Sequence, residues 1–420
     1  MHITLFEDDF ISRLFPITIG RAAFSISVGS LRLLNLVRHL GGELSLMVRS
    51  HLRDVIYHDI PDLRKPVLEK RRGPFLFINA RTVPDASLID ECKKLFTEYP
   101  QGCILKNGRN ITVAFLNESF ELPPHILTYH HLLDYLAETE VPVVYAKNKI
   151  AVLESPADVI RYHMRIINNN LEFRIRSGNY HEIADGVFVP NDPAGKPTIG
   201  DYFISDTRKG PIILESNVDI GPFCLIRGPV YLGPRSRVIE HAAIKEEVAI
   251  GSVSKIGGEV EASVIEPYTN KQHHGFLGHS YLGSWVNLGA GTCNSDLKNS
   301  YNEVSLETPG GKVRSGLQFL GCVIGDYAKT AINTSIFTGK TIGACSMNYG
   351  FITTAVPSFV NYARSFGQVT EIPVELMIAT QARMFARRNV SQRPCDIQLI
   401  RDMYEITRHE RQLANEPLSL

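Results

Sequence analysis

From Leu214 a branched aliphatic residue returns at every sixth position: Leu214, Ile220, Ile226, Leu232, Val238, Ile244, Ile250 and Ile256. Two places before each stand Ile212, Val218, Cys224, Val230, Ser236, Ala242, Val248 and Ser254, most of them small, and glycine follows directly at 221, 233, 251 and 257. The register resumes at Leu282-Gly283 and Leu288-Gly289, then at Ile324-Gly325, Thr330, Ile336 and Ile342-Gly343. A run of sandwich strands would not hold a period of six through eight successive sites. The pattern predicts a β-solenoid in which each hexad forms one side of a triangular coil. Three hexads make a coil, so residues 18 apart share a corner, as Arg227 and Lys245 do. Stacked there, an Arg and a Lys would suit a phosphate, and two ordinary surface cations would look the same in sequence.

Before residue 180 the periodicity differs. MHITLF, LSLMVR, PFLFINA and VPVVYAK are short apolar runs between polar or turn residues, which predicts strands. SLRLLNLVRHLGG, DASLIDECKKLFTEYP and PPHILTYHHLLDYLAET have helical spacing. Alternating strands and helices predict an α/β domain, Rossmann-like, over residues 1–154. SPADVIRYHMRIINNNLEFRI reads as a linker helix within 155–180, with Ser155 as N-cap before Pro156. The β-helix is then assigned to 181–350 and a helical extension to 351–420, where Arg383, Arg387 and Arg388 fall on a solvated face.

Acidic and basic residues balance at 44 each, so no overall field favours nucleic acid or an anionic membrane as partner. Seven scattered cysteines without a CxxC pair suit reduced thiols and a cytoplasmic setting. No signal peptide or membrane-spanning run is expected.

The candidate chemistry lies in KQHHGFLGHSYLGSWVNLGAGTCNSDLKN, from Lys271 to Asn299. His273, His274 and His279 lack the spacing of a zinc helix. In an exposed loop a histidine suits general-base work, and surface decoration is the plain alternative. IGPFCLIRGP followed by this histidine segment and YLGSWVNLGAGTCNSDLK resembles the bifunctional bacterial enzyme family that makes UDP-N-acetylglucosamine. In that family a uridylyltransferase domain precedes a left-handed parallel β-helix of hexapeptide repeats. The β-helix acetylates glucosamine 1-phosphate from acetyl-CoA, in homotrimers with sites between subunits. The resemblance implies His273 as base and leaves His274 and His279 as loop residues. It implies Arg227 and Lys245 as phosphate contacts and Asn287 as an amino-sugar contact. It also implies Ala290, Asn294 and Lys298 at the acetyl-CoA site. Phe276 stands where the family has a sugar-binding tyrosine, and Arg227 lies about one coil further from His273 than expected.

The N-terminal half has no glycine-rich phosphate loop. Pro16, Ile17, Thr18 and Arg21 resemble the Pro-Leu-Thr-x-x-Arg-Pro of a divergent group of sugar nucleotidyltransferases fused to the same β-helix, with Ala22 in place of the last proline. That resemblance implies Arg21 as a nucleotide contact and Asp8 or Asp9 as a Mg²⁺ contact. Its substrates would be a nucleoside triphosphate and an amino-sugar phosphate. Two alternatives stand beside bifunctional transfer: nucleotidyl transfer alone with the β-helix as trimerisation scaffold, and a non-catalytic sugar-nucleotide-binding assembly protein.

Overall fold

The hexads close into three parallel faces in a computed structural model of the chain, which describes residues 1–63, 70–145 and 150–413. One face carries Ile212–Leu214, Val230–Leu232, Val248–Ile250, Val264–Ile265, Tyr281–Leu282, Cys322–Ile324 and Lys340–Ile342. The second begins with Thr198–Ile199, Asp219–Ile220, Arg237–Val238, Lys255–Ile256 and Asn270–Lys271. The third runs through Ile204–Asp206, Leu225–Arg227, Ala243–Ile244, Glu259–Glu261 and Phe276–Gly278. All eight periodic aliphatics are buried in one continuous core. At about 25 cal/mol per Å² of apolar area, that repeated burial is what makes the coil worth closing.

Coil length changes where the histidines lie. Arg237 pairs with Lys255, 18 residues on, but Lys255 pairs with Asn270, only 15 on. Asn270 then bridges to Asn287, 17 on, and Asn287 to Lys329, 42 on. The long interval holds an antiparallel hairpin, Val304–Thr308 with Gly311–Leu317, that the hexad pattern does not announce. Hairpins also lie at one edge of each of two ladders, Tyr180–Ala184 with Val187–Pro190 on the first face and Val360–Ala363 with Gln368–Glu371 beside Met347–Asn348. The strands therefore continue past residue 350, and the helical extension expected from 351 begins only at Val374.

The chain forms two compact units, one of Met1–Leu14, Arg21–Ile26 and Leu31–Glu154, the other of Phe15–Gly20, Ser27–Ser30 and Ser155–Leu420. The helix Pro156–Ser177 counts with the β-helix. Ser155 and Asp158 form its capping box, and Ile167 and Leu171 pack on Ile213. His163 of this helix is fully buried. Its Nδ1 accepts from Gly29 N at 3.0 Å, so Nε2 carries the proton and donates to Glu247 O at 2.8 Å.

In the first unit the four apolar runs become β1 (His2–Phe6), β2 (Glu43–Met47), β3 (Phe75–Asn79) and β6 (Val143–Tyr145). The last two residues of VPVVYAK, 146–147, lie outside the described residues. Two strands absent from the sequence reading, β4 (Gly102–Asn107) and β5 (Asn110–Leu116), turn at Asn107-Gly108. They make the sheet mixed, in the order β2-β1-β3-β5-β4-β6.

Candidate functional site

Lys271 stands where the second face otherwise carries Ile220, Val238 and Ile256. It is 2% exposed, and its Nζ donates to Gly257 O at 2.7 Å, His273 O at 2.8 Å and Gly275 O at 2.7 Å. Burial pulls its ammonium down to about 8. A buried cation thus ties down the carbonyls of the histidine loop. The coil beneath turns from Ile256 to Glu259 through Gly257 and Gly258 alone, two residues fewer than from Lys271 to Phe276. Gly258 has φ +69°, and a Cβ there would lie 2.8 Å from Lys271 Nζ. The truncated turn leaves His273 and His274 exposed above it. His273 Nε2 lies 3.1 Å from Gln272 Nε2, with no carboxylate bonded to its ring among the described residues. The next coil contributes Ala290, since Gly291 N donates to His274 O at 3.1 Å.

The structure brings His273 and Ala290 to one corner, with Asn287 beside them on the second face. Asn287 is exposed and accepts from Asn270 Nδ2 at 3.3 Å. Asn294 is 5% exposed and clamps Gly278, accepting from its N at 2.9 Å and donating to its O at 3.0 Å. Its amide is therefore committed to the fold, which does not suit the expected acetyl-CoA contact. Lys298 donates to Glu303 O at 2.7 Å. It lines an open groove of about 730 Å³ with Asn299, Ser335, Phe337, Thr338 and Lys340.

Arg227 and Lys245 lie elsewhere, at the far end of the third face. They occupy adjacent rungs as the period of 18 predicts, but each is matched by carboxylates. Arg227 contacts Asp206 at 3.4 Å and Glu246 at 3.6 Å, and Lys245 contacts Glu259 at 2.5 Å and Glu261 at 3.4 Å. Both cations are thus engaged by carboxylates at this corner, which a phosphate would have to displace. On the next coils the same corner carries Ala262 and then His279, both at positive φ. His279, expected to be a plain loop residue, places Nδ1 2.8 Å from Asp296 Oδ2 with its ring stacked on Phe319 at 5.2 Å. Glu247 stands at this corner too, and burial holds its carboxyl above the usual range.

In the first unit Asp8 is fully buried against Arg81, whose Nη2 and Nε lie 2.6 and 2.8 Å from its two oxygens, and Asn79 Nδ2 donates at 2.8 Å. Both oxygens are occupied by donors, which does not fit a Mg²⁺ contact. Asp9 is the exposed carboxylate, 3.3 Å from His130. No cluster of three metal-ligating side chains forms among the described residues. Arg21 is half-buried, and its carbonyl accepts from Arg49 Nη2 at 2.9 Å. Glu7 fixes that Arg49 by accepting from Nε at 2.9 Å and from Nη2 at 3.1 Å.

Residues 3–177 match the sugar nucleotidyl transferase family. A bifunctional sugar-1-phosphate nucleotidylyltransferase/acetyltransferase of Sulfurisphaera tokodaii is 34% identical over 147 residues, 34% of this chain and 36% of its own. The bifunctional protein GlmU of Methanococcus vannielii is 32% identical over 117 residues, 28% of this chain and 27% of its own. The matched parts thus span about a third of those relatives. Among solved structures, the polySia-specific acetyltransferase NeuO aligns with 49% of this chain and 99% of its own at 14% identity, TM-score 0.20. A hexapeptide transferase family protein of Anaplasma phagocytophilum aligns at 12% identity over 55% of this chain and 99% of its own, TM-score 0.18. Parts of the chain are thus similar to bifunctional sugar-1-phosphate nucleotidylyltransferase/acetyltransferases, and residues 3–177 match the sugar nucleotidyl transferase family.

Proposed function

We propose that this chain is a transferase of sugar-nucleotide biosynthesis whose β-helix moves an acetyl group from acetyl-CoA to the amine of an amino-sugar 1-phosphate. Its N-terminal unit would join the sugar 1-phosphate to a nucleotide. The observation that carries the reading is the corner where His273 and His274 stand exposed beside Ala290, held by the buried Lys271. Asn287 on the adjoining face supports an acceptor there, and the groove of Lys298 supports a route for the pantetheine arm. The resemblance gives the base in this segment to His273. Fixing both partners on one rigid corner would convert their encounter into a first-order step.

For the N-terminal unit, Arg21 remains the proposed nucleotide contact. Any magnesium that arrives with the triphosphate needs ligands other than Asp8, and Asp9 is the exposed carboxylate nearby in sequence. The engagement of Asp8 favours a second reading, in which this unit binds a sugar nucleotide without turning it over. Seven free cysteines suit a reducing, cytoplasmic setting, and a homotrimer follows from the resemblance.

The test follows both products. With acetyl-CoA and glucosamine 1-phosphate the protein is expected to release free thiol. With UTP or dTTP, magnesium and a sugar 1-phosphate it is expected to release pyrophosphate. Thiol without pyrophosphate selects the second reading for the N-terminal unit. Neither product, with ligand-induced thermal shifts alone, overturns enzymatic function.

A further inference from the structure

The helix Val374–Ala386 is pinned to the second face of the solenoid. Its Phe385 ring lies 4.5 Å from that of Trp285, and Lys329 Nζ lies 3.0 Å from Met384 Sδ. The end of the helix therefore delivers Arg387 and Arg388 onto the second face. Arg237, Lys255, Asn270 and Asn287 are partners there on successive coils. Arg388 Nη2 donates to Asn270 Oδ1 at 2.5 Å, which sets its guanidinium one rung from Lys255.

These cations lack counter-charges. Arg237 is matched by Asp219 at 3.1 Å, but among the described residues no carboxylate pairs with Lys255, Arg387 or Arg388. Arg227 and Lys245, by contrast, meet two carboxylates each. Burial, then Arg388, Arg237 and Arg387, pull the half-buried Lys255 ammonium below its usual range. Burial and then Arg387 do the same to the Arg388 guanidinium. A helix C-terminus favours cations, which accounts for two arginines after Ala386. It does not account for a strand lysine set against them without an acid. The side-chain carbonyls of Asn270 and Asn287 are taken by Arg388 and Asn270, and Asn287 is exposed with no described acceptor for its Nδ2. The patch thus offers donors and positive charge outward.

We infer that Lys255, Arg387, Arg388 and the Asn287 amide form a binding site for a phosphate group, whose oxygens supply the missing negative charge. Arginine contributes a planar fork and lysine a point charge, the combination that phosphate oxygens accept from. The group recognised is a phosphate monoester or diphosphate, whether carried by a coenzyme, borne by a sugar or free. Because its cations come from the helix end and from a strand, a bound phosphate ties the two together.

The experiment follows amide exchange in residues 374–388 of the full chain, with and without pyrophosphate at constant ionic strength. Wild type, Lys255→Gln, Arg388→Gln and Arg383→Gln are compared, Arg383 lying on the same helix with its guanidinium on Thr380. Pyrophosphate is expected to slow exchange there saturably in wild type and in Arg383→Gln. Lys255→Gln and Arg388→Gln should each raise the concentration needed by about 10-fold or more, the scale of a lost charge-assisted hydrogen bond. Without ligand, Lys255→Gln should keep or raise the melting temperature, since it removes a repelled charge. No slowing in wild type overturns the proposal. So does equal slowing in the Lys255 and Arg388 variants, or a ligand-free melting temperature that falls in Lys255→Gln. Repeating the titration with CoA, 3′-dephospho-CoA and glucosamine 1-phosphate identifies the carrier. A response to CoA that dephospho-CoA lacks assigns the 3′-phosphate, a response to the sugar phosphate assigns that group, and a response to pyrophosphate alone assigns a free anion. Each of these supports the site. None of the measurements uses thiol release, so failure of the acyl-transfer reading leaves the site standing.

Discussion

Asp8 and Lys271 show how much a single buried charge decides. The Asp8–Arg81 pair is 0% exposed on both sides, so removing one partner strands the other charge in the interior. Asp8→Asn is expected to destabilise the N-terminal unit by about 3–5 kcal/mol, read as a lowered urea midpoint for that transition. A midpoint unchanged in the variant would return Asp8 to the pool of ligand-binding residues. Lys271→Met restores the apolar period but removes the donor shared by three carbonyls. A loss of about 1–3 kcal/mol is expected, with faster amide exchange confined to residues 272–275. Neither Lys271 nor the partner of His279 was legible in the sequence. Lys271 follows Ile256 by 15 residues and so falls outside the period of six, Asp296 lies 17 residues after His279, and the coils shorten to 15 and 17 just where a period of 18 would be applied.

Among the elements, the hexads were legible because one inward aliphatic per six residues is a condition of closing the coil at all. The hairpin Val304–Thr308 with Gly311–Leu317 and the strands β4 and β5 were missed because they break no period and occupy stretches taken as connections. The helix Pro156–Ser177 was read from its cap, but its coupling to the β-helix through His163 rests on contacts remote in sequence. Burial pulls that imidazole from 6.5 down to about 4. Between those values the unfolded chain binds a proton that the folded chain does not. The stabilisation is therefore complete above pH 6.5 and is lost as pH falls toward 4, amounting to roughly 3 kcal/mol. His163→Gln can donate to Glu247 O and accept from Gly29 N without titrating. Its urea midpoint should fall less than that of wild type between pH 7 and pH 4.5.

For the whole molecule, the two halves answer to different kinds of information. The β-helix declares itself by repetition, whereas the N-terminal unit is recognised through residues 3–177 as a sugar nucleotidyl transferase match without the usual glycine-rich loop. The thiol and pyrophosphate assays separate those halves, since each reports on one unit. The hairpins at 180–190 and 360–371 add a property that belongs to neither chemistry. A stack of parallel strands has two raw edges and could in principle grow without limit by recruiting another chain. Here one edge of the first face and one edge of a second ladder turn back on themselves in the opposite sense, so a foreign coil finds no parallel template on those two edges. At those two edges the solenoid is guarded against growth by recruitment of another chain.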